Sequence, residues 1–548
     1  MSMAADAPEH PTHRHLVAVC IAIAVAGALV AAVIVLRARS IIDEGEYLYN
    51  GWAVFTHGWR PFADFHTRTL PLIYYIYGWP QALLGGSVLV GRLQALLMAA
   101  AGIALSCTLA RRLGGPWAVP LVLGLVALNF EPGVRYYRAL AMAPTGLLLI
   151  LALILVVGRR LPVWRLYAGS ICAAGVVLCR HDMAPVAAVI WLYVWWRHAG
   201  CGGHRWGAPL IGAIALVAIS AGFRSSAPEQ FDAIVLQGVT SPGKIVGGPY
   251  ASWAEPRTFA GFAWHGLMFL RIYSGAALLL VGALALTLWR RGQPPASATD
   301  DTIDLWIVAG VAAANYLAHL AAIVAMGFRQ QYLIDLYILF PVTVWAAAAF
   351  ARAVRDAELP PKAMRAVTGF AVIAIIVPLA LNRVPPDVHL SGLSDLQRIA
   401  AGAEAIAREV PAEALVFCPD DPHQLLEAER LTFPPLTWQL FLFTDSDDTA
   451  LVRRQHYYNR EIIDEWMSHE ADYAVIGDGL VDWMVNSGRY DGGEGLRSFV
   501  FERLERDYEL LSVAPEGYMG PTRIYRYVGS GRQSQGATLP RGEAVDAQ

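Results

Sequence analysis

Ser40-Ile-Ile-Asp43-Glu44-Gly-Glu46-Tyr47 sets three carboxylates within four residues, directly after an apolar run from Leu16 to Leu36. Carboxylates can take a proton from an attacking hydroxyl or hold a cation, and they are costly beside hydrocarbon. An acidic pair at a membrane exit is therefore a functional-site candidate, the bland alternative being a helix start that meets water. A second group follows at Arg60-Pro-Phe-Ala-Asp64-Phe-His66-Thr-Arg68, where a carboxylate, an imidazole and a guanidinium fall within five residues. The planar fork of Arg matches phosphate oxygens. The plainer reading is that Arg60 and Arg68 touch lipid headgroups.

These residues need elements to hold them. From Glu46 to Gly58 the spacing predicts an interfacial helix. Glu46, Asn50, Ala53 and His57 share one face, with Leu48, Trp52 and Phe55 on the other. Asp43 extends the polar face, which would present carboxylates and an imidazole to an outer cavity while the aromatics anchor the helix. Leu70 to Leu84 is apolar but short and contains Pro71, Gly78 and Pro80, a pattern more often re-entrant or interfacial than spanning.

The rest of the chain supplies a membrane frame. It has 548 residues, 56% of them hydrophobic, with 17 Trp and a mean hydropathy of +0.43. A soluble protein could not cover that much apolar surface. A formal net charge of −3 argues against a nucleic-acid partner. Lys occurs only at Lys244 and Lys362, and abundant Ala and Gly with Arg in place of Lys read as a GC-rich bacterial genome. Spans are expected near 16–36, 88–110, 117–130, 139–157, 166–179, 183–196, 207–222, 264–289, 303–326, 336–351 and 366–381. With 70–84 left non-spanning and the N-terminus inside, the Arg-rich loops at 111–112, 159–165, 197–205, 290–291 and 352–365 all fall on the cytoplasmic side. In that arrangement of eleven spans in a bacterial inner membrane, three of the outward segments become important: 37–87, 223–263 and the tail from Asn382.

The expected division is thus a transmembrane domain over 1–381 with its first outer loop at 37–87, a small extracytoplasmic α/β domain over 382–528, and a polar, disordered tail over 529–548. Ala414–Cys418 and Ala471–Gly477 read as short buried strands, and 395–409 and 458–468 as helices. Other polar residues lie near the outer edge. The second outer loop carries Glu131, Arg180-His181-Asp182 marks the exit of the fifth span, and His319 stands on an apolar face as an expected core histidine. The loop 223–263, long and glycine-containing, could form a lid. The six cysteines have no CxxC or metal-ligand spacing and suggest no disulfide framework.

Asp43-Glu-Gly-Glu-Tyr, Arg60-Pro-Phe-Ala-Asp-Phe and Leu70-Pro-Leu-Ile-Tyr-Tyr together resemble the first-loop signature of the GT-C membrane glycosyltransferases, closest to the protein-mannosyltransferase and aminoarabinose-transferase branch. Arg329-Gln-Gln-Tyr-Leu-Ile-Asp335 with Pro341 is similar to a late element of that family. The resemblance implies a GT-C-like polytopic α-helical fold and a transferase that takes sugar from a polyprenyl-phosphate donor to an acceptor hydroxyl at the outer face, with inversion. It implies Asp43 as catalytic base and Glu44 as a residue that orients the acceptor or binds a cation. It further implies Arg329 and then Arg68 on the departing phosphate. Asp64, His66, Arg180 and Glu131 complete the expected substrate-binding set: Arg180 is read from its place on the outer side, where a structural pair with Asp182 is the plainer reading, and Glu131 stands where many relatives carry a second acid, in a loop that here has no Asp. No cofactor is required by the sequence, a divalent cation is left open, and the acceptor (protein, lipid or glycan) is not specified. The alternative classes are a transporter or flippase, and a polymerase or ligase, of lipid-linked saccharides; a transporter would place its ionisable groups at mid-membrane.

Overall fold

The computed structural model describes residues 11–67, 69–232, 235, 259–290, 300–326, 336–382, 388, 390–420, 422–444, 446–477, 493–518 and 520–529. Arg68, Arg329 and Asp335 lie outside the described residues, as do most of the 223–263 loop and the tail from 530. Two compact units divide the chain, the first closing at Leu396 and the second running from Gln397.

Helices build the first unit: α1 Pro11–Arg37, α2 Ile42–Thr56, α3 Leu72–Leu84, α4 Val88–Gly114, α5 Ala118–Ala127, α6 Phe130–Tyr136, α7 Met142–Val156, α8 Val163–Cys179, α9 Ala184–Arg197, α10 His204–Ser226, α11 Pro228–Phe231, α12 Phe259–Ile272, α13 Ser274–Trp289, α14 Asp300–Met326, α15 Leu339–Asp356 and α16 Pro361–Leu381. Each expected apolar run is helical. Among the described residues six helices are long and apolar enough to cross a membrane, or seven if α12 and α13 count as one span. That pair bends by 82°, so the single span expected at 264–289 is a broken one. The shortfall from eleven lies in α5, α7, α8 and α9, with 10, 15, 17 and 14 residues. At about 1.5 Å per residue none of these matches a hydrocarbon core of about 30 Å. Packing among neighbours compensates: most of α7 is buried, against α4 and α8.

The α2–α3 hairpin is the element that carries the first-loop residues. Gly51 and Gly78 let the two backbones touch, because a Cβ on Gly78 would lie 2.2 Å from the Gly51 carbonyl oxygen. Small residues serve helix contacts in membranes in this way. Residues 44–53 of α2 are buried throughout. This corrects the expected interfacial helix: the periodicity of its polar face is present, but Glu46 and Asn50 are packed inside the protein and not turned toward water. Ile42 and Asp43 at the start of α2 are partly exposed, and its end and the turn beyond it reach the surface, with Phe55 47% exposed.

The second unit holds a five-stranded sheet of order β2-β1-β3-β5-β4, with β1 Leu415–Phe417, β2 Leu431–Thr432, β3 Tyr473–Gly477, β4 Tyr508–Ala514 and β5 Thr522–Tyr527. β1 pairs parallel with β2 and β3, whereas β5 pairs antiparallel with β3 and β4. Helix Asp395–Glu409 leads into it. The two expected strands are β1 and β3. Residues 388–395 belong with the first unit, tied there by an isolated bridge between Ala38 and Val388 and by the Ser40 amide donating to Asp395 at 2.8 Å.

Candidate active site

Asp43 and Glu44 occupy the first turn of α2, and their surroundings separate them. Asp43 is partly exposed. Glu44 is fully buried against Arg92 of α4, whose Nε donates to Oε1 at 2.9 Å and Nη2 to Oε2 at 2.8 Å. The remaining Arg92 donors reach the carbonyls of Val35 and Ala38 at 3.0 Å each and the Ser40 hydroxyl at 2.9 Å. Glu44 Oε1 also accepts from the Ala139 amide at 3.1 Å. One ion pair thus joins the end of α1, the start of α2, α4 and the chain after α6. A cation at Glu44 would have to displace a guanidinium. Among the described residues no group of three or more His, Cys, Asp and Glu side chains is placed to hold a metal ion.

Further along α2, Glu46 accepts from the Tyr74 hydroxyl of α3 at 2.7 Å, with both side chains buried. The Tyr47 and Tyr74 rings meet edge to face at 5.7 Å. In the loop between the helices, Arg60 grips Asp64 with Nη2 on Oδ1 at 3.0 Å and Nε on Oδ2 at 3.2 Å, while the Arg60 amide donates to the same carboxylate at 2.7 Å. Asp64 therefore closes its own turn. The Phe62 backbone at its centre has φ of 67°, and the buried Phe62 ring packs on Phe223 and Phe231. His66 is buried at 7% exposure.

Arg180 lies between α8 and α9, with Nη2 and Nε on the Asp182 carboxylate at 2.7 and 3.1 Å. Its guanidinium sits 5.1 Å from the centre of the Tyr337 ring and within electrostatic reach of Tyr47, one helical turn on from Asp43. Tyr337 directly follows the segment that contains Arg329, and the Tyr136 hydroxyl fixes that end by donating to the Leu336 carbonyl at 2.9 Å. Burial alone would raise the Asp182 carboxyl, but the Arg180 charge and hydrogen bonds outweigh it and hold Asp182 well below the usual carboxylate range. His319 acts on Asp182 from α14. Burial lowers the neighbouring His181, with Asp182 opposing and Arg180 adding to the shift.

Glu131, in the first turn of α6, faces Arg271 at 3.7 Å. Arg271 Nε donates to Asn382 Oδ1 at 3.1 Å, and Asn382 Nδ2 donates to Asn129 Oδ1 at 3.2 Å. This group links the ends of α5, α12 and α16. Asp43, Glu44 and Glu46 share the first turns of α2, and Arg180 with Asp182 lies between α8 and α9, whereas Glu131 and Asp64 each have their own arginine. Arg92, Tyr74, Arg271 and Asn382 were missed in the sequence. Arg92 carried a readable signal, being an arginine four residues inside an apolar run, where an ionisable group needs a partner.

Helical spans, the acid-bearing α2 held beneath the end of α1, and an α/β unit after the last span define a multi-pass membrane protein of the GT-C fold. Among solved structures, the chain is similar to ArnT from Cupriavidus metallidurans bound to undecaprenyl phosphate, over 93% of this chain and 98% of that one, at TM-score 0.54 and 12% identity. ArnT in the apo state matches over 95% and 99%, at TM-score 0.53 and 13% identity. The apo Archaeoglobus fulgidus oligosaccharyltransferase matches over 89% of this chain and 73% of its own, at TM-score 0.49 and 12% identity. No family profile and no curated protein matches the sequence. At these identities the likeness is one of fold.

Proposed function

We propose that the protein is a membrane glycosyltransferase that moves a sugar from a polyprenyl-phosphate donor to an acceptor hydroxyl at the outer face of a bacterial inner membrane. The observation that carries this reading is the division of labour in the acidic pair: Glu44 is buried and clamped by Arg92, and Asp43 beside it is partly exposed on a fixed turn. The shared fold with a protein bound to undecaprenyl phosphate supports the choice of donor class.

In this reading the Asp43 carboxylate accepts the proton of the acceptor hydroxyl as that oxygen attacks the anomeric carbon. The bond from that carbon to the phosphate oxygen breaks, and the electron pair leaves with the lipid phosphate, so configuration inverts. A general base needs reach before it needs an unusual pKa. Negative charge grows on the phosphate, where arginines stabilise it. Arg180 fits this role because its fork on Asp182 uses Nε and Nη2 and leaves Nη1. Arg329 and Arg68 are the other assigned cations. Glu44 acts through its clamp by positioning Asp43, and His66 belongs to the wall of the first outer loop.

The test is Asp43→Asn in the full-length protein, assayed for transfer from undecaprenyl-phosphate-linked sugar. Loss of at least about a hundredfold in rate at normal folding is expected, and full activity would remove Asp43 as base. Mass spectrometry of envelope glycans with and without the protein identifies the acceptor.

A further inference from the structure

Asp43, Glu46, Tyr47 and Asn50 leave α2 within one arc of about 100°. Asp43 at its start is partly exposed, whereas Glu46, Tyr47 and Asn50 are all buried. Asn50 is the anomaly. Neither its Nδ2 nor its Oδ1 has a hydrogen-bond partner among the described residues. A buried amide left unsatisfied is destabilising, and an apolar residue of the same size would relieve it. Asn is also a poor choice for a helix interior. The contacts of α2 do not call for it, since Gly51 meets Gly78, Leu48 meets Gly91 and Glu44 meets Arg92.

We propose that Asn50, with Glu46 oriented by Tyr74, recognises hydroxyl groups of the sugar that is transferred, and so sets which sugar the enzyme accepts. This deepens the glycosyltransferase reading and rests on it. An amide offers two donors and an acceptor, and a carboxylate adds further acceptors; adjacent ring hydroxyls both donate and accept and so match this set. A phosphate does not, because Glu46 would repel it. A lipid chain has nothing to offer the Asn50 amide. The Tyr47 and Tyr74 rings add apolar faces of the kind that line small-molecule sites. Asn50 lies two helical turns, about 10 Å of rise, from Asp43. Along α2 from Asp43, Glu46 comes first and Asn50 one turn further on.

The test uses the full-length protein in lipid nanodiscs. Probes are bare undecaprenyl phosphate and its conjugates with glucose, mannose, galactose and aminoarabinose, read by binding and by thermal melting. The wild type should bind one conjugate more tightly than the bare carrier. Asn50→Leu without ligand should melt at or above the wild type and keep its binding of the bare carrier. Its affinity for the preferred conjugate should fall about tenfold to a hundredfold. Unchanged preference in Asn50→Leu overturns the inference. Melting below the wild type in both Asn50→Leu and Asn50→Ala overturns it too, since Asn50 would then be structural. A wild type that binds the bare carrier and all conjugates alike removes this inference alone, whereas one that binds none of them removes the proposed function.

Discussion

Glu44 and Arg92 form a two-pronged ion pair in which neither side chain is exposed to solvent. Such a pair gains little over well-packed apolar residues, because the attraction between the charges is offset by the cost of taking both out of water. What it supplies is geometry. Arg92 spends its other donors on Val35, Ala38 and Ser40, so the α1–α2 corner that carries Asp43 is fixed from below.

Breaking the pair from one side leaves a buried charge alone. Arg92→Met and Glu44→Gln are expected to destabilise the protein, by about 3–5 kcal/mol for loss of the arginine, read as lower melting temperatures in detergent or nanodiscs. The double variant Glu44→Leu with Arg92→Met should regain much of that stability while transfer stays impaired, because the corner is no longer tied. Wild-type melting in Arg92→Met would contradict the clamp.

The α2–α3 contact makes a second prediction. In Gly78→Ala the new Cβ meets backbone, the Gly51 carbonyl oxygen at 2.2 Å, which cannot turn aside as a side chain would. Overpacking of this kind costs about 1–3 kcal/mol, and transfer should fall with it as α2 shifts. Gly369→Ala is the control, an exposed position on α16 where a Cβ would meet nothing within 4 Å. There the substitution should be neutral or stabilising by up to about 1 kcal/mol. Equal effects at the two sites would mean that the backbone contact is not tight.

These sites show how far the sequence reached. Apolar runs marked helices at every expected position, and the acids of the first loop were visible from type and spacing alone. Periodicity correctly grouped Glu46 with Asn50, but it reports which residues share a face and not whether that face meets water or another helix. The burial of α2 was therefore illegible. Asp64 was grouped with His66 and Arg68 by proximity in sequence, yet the tight turn at Phe62 returns it to Arg60. Arg92 was missed although its apolar setting could have marked it, and its partner lies 48 residues away, a relationship that only tertiary structure supplies. The break at Tyr273 had no Pro to announce it.

Acid should weaken the fold through histidines in the connections. Burial lowers His181 from its ordinary 6.5, so the folded state prefers the neutral imidazole. His57 and His198 are lowered by burial as well. Their contribution is complete above the unfolded value near 6.5 and is lost as pH falls through the lower folded values. Asp182 is lowered too, by the Arg180 charge and hydrogen bonds against the effect of burial: its stabilisation is present above the unfolded value of about 3.9 and is lost only further into acid. Melting temperature should hold level from about pH 8 to 7 and decline toward pH 5, and His181→Gln should flatten part of the decline. Asp182→Asn should lower stability by a similar amount across that whole range. Stability that rises on acidification would contradict the burial of these imidazoles.

Glu131 is the acid in the first turn of α6, and its surroundings point to anchoring. It stands 3.7 Å from Arg271, with 21% and 37% of the two side chains exposed. Water screens a pair so placed, and a double-mutant cycle of Glu131→Gln and Arg271→Gln should give a coupling of about 0.2–1 kcal/mol. Arg271 has a second duty, since it donates to Asn382 and Asn382 in turn donates to Asn129. Arg271→Gln is therefore expected to destabilise more than Glu131→Gln, which removes one weak partner and leaves the Asn382 links intact. If Glu131 only anchors, Glu131→Gln keeps transfer within a few-fold of wild type, in contrast to Asp43→Asn. A loss of about a hundredfold or more with unchanged melting would instead give Glu131 a part in the chemistry, and Asp43 would no longer act as the sole carboxylate at the reacting hydroxyl.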